Sequence, residues 1–329
     1  EPVLIGIDRD GAWYLNDDSI SLLNADDPRL IALNKGSQRV SLVPCERAGV
    51  LVGLQGSVAV PPVDVLFPVL HGPYGEDGSV QGLARLANVA CVGSDILGSA
   101  VGMDKDVSKR LLRDAKIPVA RHLCLRRCDI GANLAQRVGE ELGYPAYVKP
   151  SNMGSSVGVV RVESADQLPQ AVDFAFQYDT KVVIEETIIG REIECSVLGN
   201  DEPIASGVGE IVTDDGFYSY EKKYIDEDAA KLRIPADLDE DTVKRVQAIA
   251  VAAFEMLECR GMARVDMFLT DAGEIYLNEV NTIPGFTKIS MYPKLWEAAG
   301  ISYTDLIDRL IRLALEDYAE KSSLQTTGY

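Results

Sequence analysis

Two carboxylates and one amide near the end of the chain have the types and the spacing of a metal site. Glu279 and Asn281 stand two residues apart in EIYLNEVNTIPGFT, and alternate side chains of a strand share one face. Upstream, RVDMFLT predicts a partner strand joined through a turn at 271–273, which would place Asp266 across from that pair. Such oxygen ligands suit Mg²⁺ when substrate phosphates complete its coordination. The alternative is a solvated hairpin face with ordinary polar side chains.

A glycine-rich loop, SNMGSSVGV, follows a predicted strand that ends in YVKP. Glycine permits close backbone approach, and loop N–H groups and serine hydroxyls can surround phosphate oxygens, with the Lys149 ammonium just before the loop. The loop has neither the P-loop pattern nor the dinucleotide fingerprint. It therefore indicates either a phosphate cradle or a plain hairpin turn.

Acidic residues cluster between two predicted strands in KVVIEETIIGREIE. One strand is predicted to end at Glu185 and Glu186, and another to begin near Glu192. A nucleotide base could hydrogen-bond to the backbone at such a strand end while the Glu192 carboxylate binds the ribose hydroxyls. The alternative is that these acidic strand ends simply face water.

A polar segment without apolar periodicity, GFYSYEKKYIDED, carries Lys223 and Tyr224 between strand-like stretches. A loop of this kind is a candidate lid, and its lysine could reach a transferring phosphoryl group. An ordinary surface loop is the alternative.

Histidine occurs only twice in the 329 residues, so each histidine can be considered singly. His71, in HGPYGEDG, ends the buried-strand pattern VDVLFPVLH and could position a substrate, although such a histidine more often holds its own loop by hydrogen bonds. His122 has no comparable neighbours in the sequence. We therefore predict a structural role for His122.

The bulk composition excludes several classes of protein. Fifty-one acidic and 32 basic residues give a net charge of −19, which would repel a nucleic-acid backbone, so an anionic ligand needs a local cluster of cations. Six cysteines without a CxxC pair give no support for a zinc framework. Cys124 and Cys128 are predicted to be free thiols, and scattered thiols favour a cytoplasmic protein. No apolar run approaches the ~18 residues of a membrane span, so we expect no membrane partner.

The elements that must hold these groups alternate between strands and helices. The first hundred residues predict strand, loop, helix and strand, which is the order of a parallel sheet with crossover helices, and we place the first boundary at residue 98. The next segment, to residue 185, combines strands with a helix at ADQLPQAVDFAFQY. The remainder carries more strands, the hairpin and two long helices, around 243–258 and 304–320.

Taken in order, the motifs resemble one family closely. They are HGPYGEDGSVQG, VGSD, MDKDVSKRLL, YVKPSNMGSSVGV, IEETIIGREIE, KYIDE, GMARVDMF and LNEVNTIPGFTKISMYPKLW, and together they resemble the D-alanine:D-alanine ligase family of ATP-grasp enzymes over nearly the whole chain. The resemblance implies a three-domain α/β ATP-grasp architecture. An N-terminal parallel-sheet domain (1–98) would be followed by a central domain (99–185) and a C-terminal domain (186–329), whose antiparallel sheets sandwich ATP.

The resemblance also implies roles for single residues. The residues implied to bind ATP are Lys105, Lys149, Ser156, Glu185, Glu186, Ile188 and Glu192. The implied ligands of Mg²⁺, for which Mn²⁺ could substitute, are Asp266, Glu279 and Asn281. The implied catalytic residues are Lys223 on the phosphoryl group, Arg264 and the Gly285 N–H at the oxyanion, and Ser155 and Tyr224 in the lid contact. The implied substrate residues are His71, Ser290 and Met291.

The implied reaction joins two D-alanine molecules for peptidoglycan synthesis through an acyl phosphate, in a cytoplasmic homodimer. A ligase that takes D-lactate as second substrate is a close alternative, although Tyr224 in EKKY resembles the dipeptide-forming members. A ligase of another acid and amine fits NTIPGFT less well. A non-catalytic ATP-binding regulatory module would not need Lys223, Arg264 and the complete metal set.

The start of the chain departs from the family pattern. Family members begin with a strand, a glycine-rich loop and a helix before the segment that resembles LIGIDRDGAWYL, whereas this sequence starts at Glu1 with that segment. The absent loop would supply a glutamate to the lid contact of Ser155 and Tyr224. We expect that the sequence omits these residues, because deleting a strand and helix would expose the core of a parallel-sheet domain.

Overall fold

The computed structural model of the chain describes residues 1–8, 10–16, 22–23, 32–33, 38–44, 49–54, 62–212, 231–287 and 289–325. Lys223 and Tyr224 lie outside these ranges. Within them, three larger sheets and eight α-helices form the fold. None of the helices in these ranges is long and apolar enough to cross a membrane.

The N-terminal part combines an antiparallel sheet with a short parallel pair. Its elements are β1 (Leu4–Ile7), β2 (Trp13–Asn16), β3 (Leu22–Leu23), β4 (Ala32–Leu33), β5 (Gln38–Leu42), β6 (Leu51–Gly53), β7 (Val65–Leu66), α1 (Ser79–Leu86) and β8 (Ala90–Cys91). Strands β1, β2, β5 and β6 form an antiparallel sheet in that order, whereas the sequence predicted a parallel sheet for the first hundred residues. Strands β7 and β8 pair in parallel across α1, as predicted. Strand β7 is short, and Pro68, which follows soon after, has no N–H for a ladder hydrogen bond.

The central part is a four-stranded antiparallel sheet covered by helices. Its elements are α2 (Ile96–Met103), α3 (Lys105–Asp114), β9 (His122–Arg126), a 3₁₀ turn (Arg127–Asp129), α4 (Leu134–Glu141), β10 (Ala146–Pro150), β11 (Val160–Val162), α5 (Leu168–Ala175) and β12 (Lys181–Glu186). The strands lie in the order β11, β10, β12, β9. Apolar side chains of this sheet pack against α4 and α5 in one core.

The C-terminal part is a five-stranded antiparallel sheet. Its elements are β13 (Arg191–Gly199), β14 (Ile204–Val212), β15 (Lys231–Arg233), α6 (Glu240–Met256), β16 (Gly261–Leu269), β17 (Ile275–Asn281), α7 (Met291–Ala298) and α8 (Tyr303–Ser322). The strands lie in the order β15, β14, β13, β16, β17. Both long helices predicted from the sequence are present. Helix α6 starts at the N-cap Asp239 and buries Val246, Ala250 and Ala253 against the sheet, which confirms the helical spacing.

Helix α3 is fastened to the central sheet at its first turn. The Asp104 carboxylate caps the helix by accepting hydrogen bonds from the N–H groups of Asp106 and Val107. The same carboxylate pairs with the Lys181 ammonium and accepts a hydrogen bond of 3.0 Å from the Ser151 hydroxyl. Because Lys105 directly follows this cap, the cluster determines where the helix presents its lysines.

The central and C-terminal parts of the molecule meet along β17. The Leu277 N–H donates to the Pro118 carbonyl at 2.8 Å, so the segment that leads from α3 into β9 is hydrogen-bonded to the hairpin of β16 and β17. The chain passes from the central to the C-terminal sheet between Glu186 and Arg191. Residue 98 lies inside α2, where a Cβ on Gly98 would come within 2.3 Å of the Glu258 carbonyl oxygen. The domain limits at 98 and 185 stay predictions.

Candidate active site

The β16 and β17 hairpin forms as the sequence predicts. In its register Asp266 pairs with Glu279, and Arg264 pairs with Asn281. Gly273 closes the turn with a φ of +77°, and its N–H donates to the Thr270 carbonyl. The two acids and the amide that were predicted to bind metal therefore lie on neighbouring strands.

The Asp266 carboxylate is already held by two side chains. The Arg264 guanidinium donates from Nε to Oδ1 and from a terminal nitrogen to Oδ2, both at 2.7 Å. The Asn281 amide donates to Oδ2 at 2.9 Å, and Glu194 lies 3.0 Å from Arg264 Nε. Burial alone would lower the pKa of Arg264, but the charges of Asp266 and Glu194 raise it well above its usual value. The arginine is thus a permanent cation.

The donor set fits a hard divalent cation. Among the residues that the structure describes, no three His, Cys, Asp or Glu side chains are grouped as a metal site. Asp266, Glu279 and Asn281 offer two carboxylates and one amide oxygen, which Mg²⁺ accepts and which a soft metal does not prefer. So small a set leaves coordination positions for phosphate oxygens.

The two predicted phosphate lysines both interact with Glu279. Lys105 donates from Nζ to the Met153 carbonyl at 2.6 Å and lies 3.6 Å from Glu279 Oε2. Lys149 donates from Nζ to Glu185 Oε2 at 2.8 Å. Lys105 therefore touches both the glycine-rich loop and a predicted metal ligand, and it connects the central sheet to the C-terminal one.

The glycine-rich loop is a tight turn between two paired strands. Ser155 and Ser156 have φ values of 54° and 59°, and the Val157 N–H donates to the Gly154 carbonyl at 3.1 Å. Two successive left-handed residues define a type I′ turn and cost about 1–2 kcal/mol each when they are not glycine. The Asp179 carboxylate fastens the start of the loop by accepting from the backbone and side chain of Asn152. The hairpin is shown, and its action as a phosphate cradle stays a prediction.

Glu185 and Glu186 do not simply face water. Glu185 is 3% exposed and lies between Lys149 and Lys109, whose Nζ is 3.3 Å from Oε1. Burial would raise the pKa of Glu185, but the charges of Lys109 and Lys149 lower it to about 2. Glu186 accepts from the N–H and Nε of Arg121 at 2.7 and 2.6 Å.

The Glu185 carboxylate therefore belongs to the lysine cluster, and recognition of a base by the backbone at this strand end stays a prediction. Ile188, which is half-buried, lies in the connection between the sheets, and Glu192 is on β13. Their nucleotide contacts stay predictions. Lys109 itself was not singled out from the sequence, although its spacing of four residues from Lys105 in a helix was a signal for it.

His71 reaches the turn that follows β17. Although the residue keeps contact with solvent, desolvation by the surrounding protein and the charge of Arg264 lower its pKa, while a hydrogen bond with the Ile283 backbone raises it. The loop of His71 is held by Glu76, whose Oε2 accepts from the Gly72 N–H at 2.6 Å. Burial raises the pKa of Glu76 to about 7. Glu76 is a second residue for which the sequence predicted no separate role.

The remaining predicted substrate residues lie around the start of α7. A Cβ on Gly285 would be 2.9 Å from Ser290 Oγ, so the glycine allows this close approach. Ser290 Oγ also accepts from the Thr287 N–H at 3.0 Å. The Met291 side chain is 4% exposed and belongs to the core, so a substrate contact there would use its backbone.

Two expectations outside this region have clear outcomes. The five cysteines in the described ranges, Cys124 and Cys128 among them, are free thiols, as predicted. His122, for which a structural role was predicted, has a partner on helix α3, because its Nε2 lies 3.2 Å from Asp106 Oδ1. Sequence neighbours could not reveal a partner 16 residues away.

Comparisons with known proteins agree with this geometry. Residues 1–94 match the family model described as D-ala D-ala ligase N-terminus, and residues 111–312 match the one described as D-ala D-ala ligase C-terminus. A D-alanine–D-alanine ligase of Shouchella clausii is 54% identical over 326 residues, which cover 99% of this chain and 89% of the relative.

Solved structures share the fold. A D-Ala:D-Ser ligase from Enterococcus faecalis has a TM-score of 0.81 at 38% identity, covering 95% of this chain and 89% of the other. A D-alanine–D-alanine ligase from Bacillus anthracis complexed with ATP has a TM-score of 0.67 at 32% identity, covering 78% and 81%. The likeness extends across all three parts of the molecule.

Proposed function

The chain belongs to the D-alanine–D-alanine ligase family, and from this premise we propose that it uses ATP to join two D-alanine molecules into D-alanyl-D-alanine. The observation that carries the proposal is the position of Lys105. Its ammonium contacts the Met153 carbonyl of the glycine-rich loop and lies 3.6 Å from Glu279. A nucleotide phosphate at this point would meet a lysine, a glycine-rich turn and a metal ligand together.

Mg²⁺ would be held by Asp266, Glu279 and Asn281, and Mn²⁺ suits the same oxygen donors. When bound, the metal would neutralise charge on the phosphate oxygens of ATP. The chain itself supplies Lys105 and Lys149 for those phosphates. Both oxygens of Asp266, one of the proposed metal ligands, also accept hydrogen bonds from Arg264. Metal binding and the position of Arg264 are therefore coupled through Asp266.

The family resemblance implies two chemical steps. The carboxylate of the first D-alanine attacks the γ-phosphate, giving an acyl phosphate and ADP. The neutral amine of the second D-alanine then attacks the acyl carbon, forming the peptide bond and releasing phosphate and the proton of the amine. Negative charge grows on the carbonyl oxygen in the second step, where Arg264 and the Gly285 N–H are the proposed donors. His71, near Arg264 and hydrogen-bonded with the Ile283 backbone, is proposed to orient a substrate carboxylate.

The finer roles rest on the family resemblance. Lys223 would contact the transferring phosphoryl group, and Ser155 and Tyr224 would close the lid over the first substrate. Ser290 and the backbone of Met291 would receive the carboxylate of the second D-alanine. We place the reaction in the cytoplasm, because ATP and reduced thiols belong to that compartment. The homodimer and the role as a step toward peptidoglycan rest on the family resemblance.

The choice of second substrate needs a direct test, since a D-Ala:D-Ser ligase shares this fold. Phosphate release should be measured with ATP and Mg²⁺ in the presence of D-alanine, L-alanine, D-alanine with D-lactate, and D-alanine with D-serine, and the products should be identified by mass. We expect release that requires D-alanine and yields the dipeptide. ATP binding without phosphate release in any mixture would contradict the proposal and favour the regulatory module.

A further inference from the structure

Helix α3 buries a lysine that the proposed reaction does not use. Lys109 is 1% exposed and follows Lys105 by four residues, so both lysines leave the same side of the helix. Its Nζ lies 3.3 Å from Glu185 Oε1 and 3.3 Å from the Asn278 carbonyl oxygen. Burying a whole cation is costly unless it is paired, so the position of this lysine calls for an explanation.

Glu185 lies between two lysines. Lys149 bonds one carboxylate oxygen at 2.8 Å and Lys109 approaches the other, and the side chains of Lys109, Glu185 and Lys149 are only 1%, 4% and 14% exposed. In so poorly solvated a place, charges are screened weakly. Burial lowers the pKa of Lys109, and the Glu185 carboxylate at 3.3 Å opposes that shift. With Lys109 protonated, two ammonium groups and one carboxylate give this trio a net charge of +1. Without Lys109 the remaining pair would sum to zero.

The second contact of Lys109 reaches the strand that bears the predicted metal ligand. The pairing of β16 with β17 passes from Asp266–Glu279 to Met267–Leu277, so Asn278 is the extra residue of a β-bulge. Bulges interrupt ladder hydrogen bonds and occur often beside active sites. The Asn278 carbonyl accepts from Lys109, and the next residue in the chain is Glu279. One ammonium group thus touches both sheets.

We propose that Lys109 is a positioning residue for the phosphates of the nucleotide: it keeps the buried trio positively charged, so that Glu185 orients Lys149 without cancelling its attraction for phosphate. The proposal rests on the proposed function, because it takes Lys149 as a phosphate ligand. Lys109 acts through Lys149 and touches no substrate itself. A lysine that only filled space would have no consequence specific to phosphate.

The test compares two ligands that differ in phosphate. The dissociation constants of ADP and of adenosine should be measured by calorimetry for the wild type and for Lys109→Met, a change that removes the charge and keeps an unbranched side chain. We expect ADP to bind at least about tenfold more weakly, as for the loss of one charge-assisted contact, and adenosine to bind within about twofold of the wild type. Arg113→Met, on the exposed side of the same helix, is the matched control and should change neither value.

The double variant Lys109→Met/Glu185→Gln separates charge from packing. It removes one positive and one negative group, so the net charge of the trio returns to +1, carried by Lys149 alone. No buried carboxylate is left without its partner, because Glu185 is also replaced. We expect its ratio of ADP to adenosine affinity to return to within about threefold of the wild type. This variant also keeps the proposal testable should Lys109→Met not fold, which thermal unfolding would reveal.

Three results would overturn the inference. Equal weakening of ADP and adenosine by Lys109→Met would make Lys109 a packing residue only. Unchanged ADP binding by Lys109→Met would show that Lys149 attracts phosphate equally well without Lys109. An ADP-specific loss in the double variant as large as in Lys109→Met would exclude the charge argument. These binding ratios do not depend on which acids are joined. If the wild type makes no dipeptide from D-alanine, the proposed function fails while the role of Lys109 is still decided.

Discussion

Arg264 holds Asp266 with two hydrogen bonds of 2.7 Å, one to each carboxylate oxygen. Arg264, proposed for the oxyanion, and Asp266, proposed for the metal, are therefore hydrogen-bonded to each other. Glu194 also pairs with Arg264, at 3.0 Å from Nε. A guanidinium presents two N–H groups side by side, which match the two oxygens of a carboxylate, whereas a lysine ammonium cannot reproduce this pair of hydrogen bonds. Occupancy of the metal site and the orientation of the arginine should therefore change together.

The first prediction concerns this fork. Arg264→Lys keeps a positive charge but cannot donate to both oxygens of Asp266, so we expect kcat to fall at least about 100-fold while the affinity for ADP, measured without Mg²⁺, stays within about threefold. Steady-state kinetics with D-alanine and calorimetry with ADP give the two values. Arg312→Lys, an exposed exchange on α8, is the control. An equal fall in turnover and ADP affinity would make Arg264 a nucleotide residue.

A second prediction concerns the metal ligand opposite Asp266. Glu279→Gln removes a carboxylate charge but keeps the shape of the side chain, so turnover should be nearly abolished and the unfolding temperature should change little. The dependence of ADP binding on Mg²⁺ should weaken as well. Glu274→Gln, at an exposed acid just before the same hairpin strand, should behave like the wild type. Near-normal activity of Glu279→Gln in Mg²⁺ would remove Glu279 from the metal site.

Acid should weaken the fold through Glu185. Its pKa of about 2 in the folded chain lies below the usual value of 4.5, so its stabilising contribution is complete above pH 4.5 and is lost as the pH falls toward 2. The difference corresponds to about 3 kcal/mol. Urea unfolding of the wild type and Glu185→Gln should show a gap in stability at pH 6 that narrows below pH 4.5. A gap that stays constant would mean that the carboxylate is not held by Lys109 and Lys149.

Glu76 should act in the opposite direction. Burial raises its pKa to about 7 in the folded chain, so the folded state retains a proton that the unfolded chain releases near pH 4.5, and stability is lost as the pH rises from about 4.5 to 7. The difference in unfolding free energy between Glu76→Gln and the wild type should therefore change in favour of the variant, by up to about 3 kcal/mol, as the pH rises from 4 to 8. Glu255→Gln, an exposed exchange on α6, should show no such trend. A flat difference for Glu76→Gln would show that the carboxyl is ionised throughout.

Local patterns were sufficient for the hairpin and for the long helices. Alternation of apolar and polar residues, with a glycine turn at Gly273, predicted that Asp266 would face Glu279, because strand periodicity and turn chemistry act over a few residues. Helix α6 followed from its apolar spacing in the same way. The antiparallel arrangement of β5 and β6 beside the first hairpin was not predicted, and it depends on the pairing of β5 with β2, two strands that β3 and β4 separate in the chain.

The amino-acid sequence by itself determined the family, the order of the motifs and the residue types available to the site. The tertiary structure decided which charges meet: Lys109 with Glu185, His122 with Asp106, and Arg264 with Asp266 and Glu194. It also placed the Asn278 bulge against helix α3 and drew the Met291 side chain into the core. The physical reason is that periodicity and turn preference are set by near neighbours, whereas an ion pair forms only where packing brings distant segments together and excludes water.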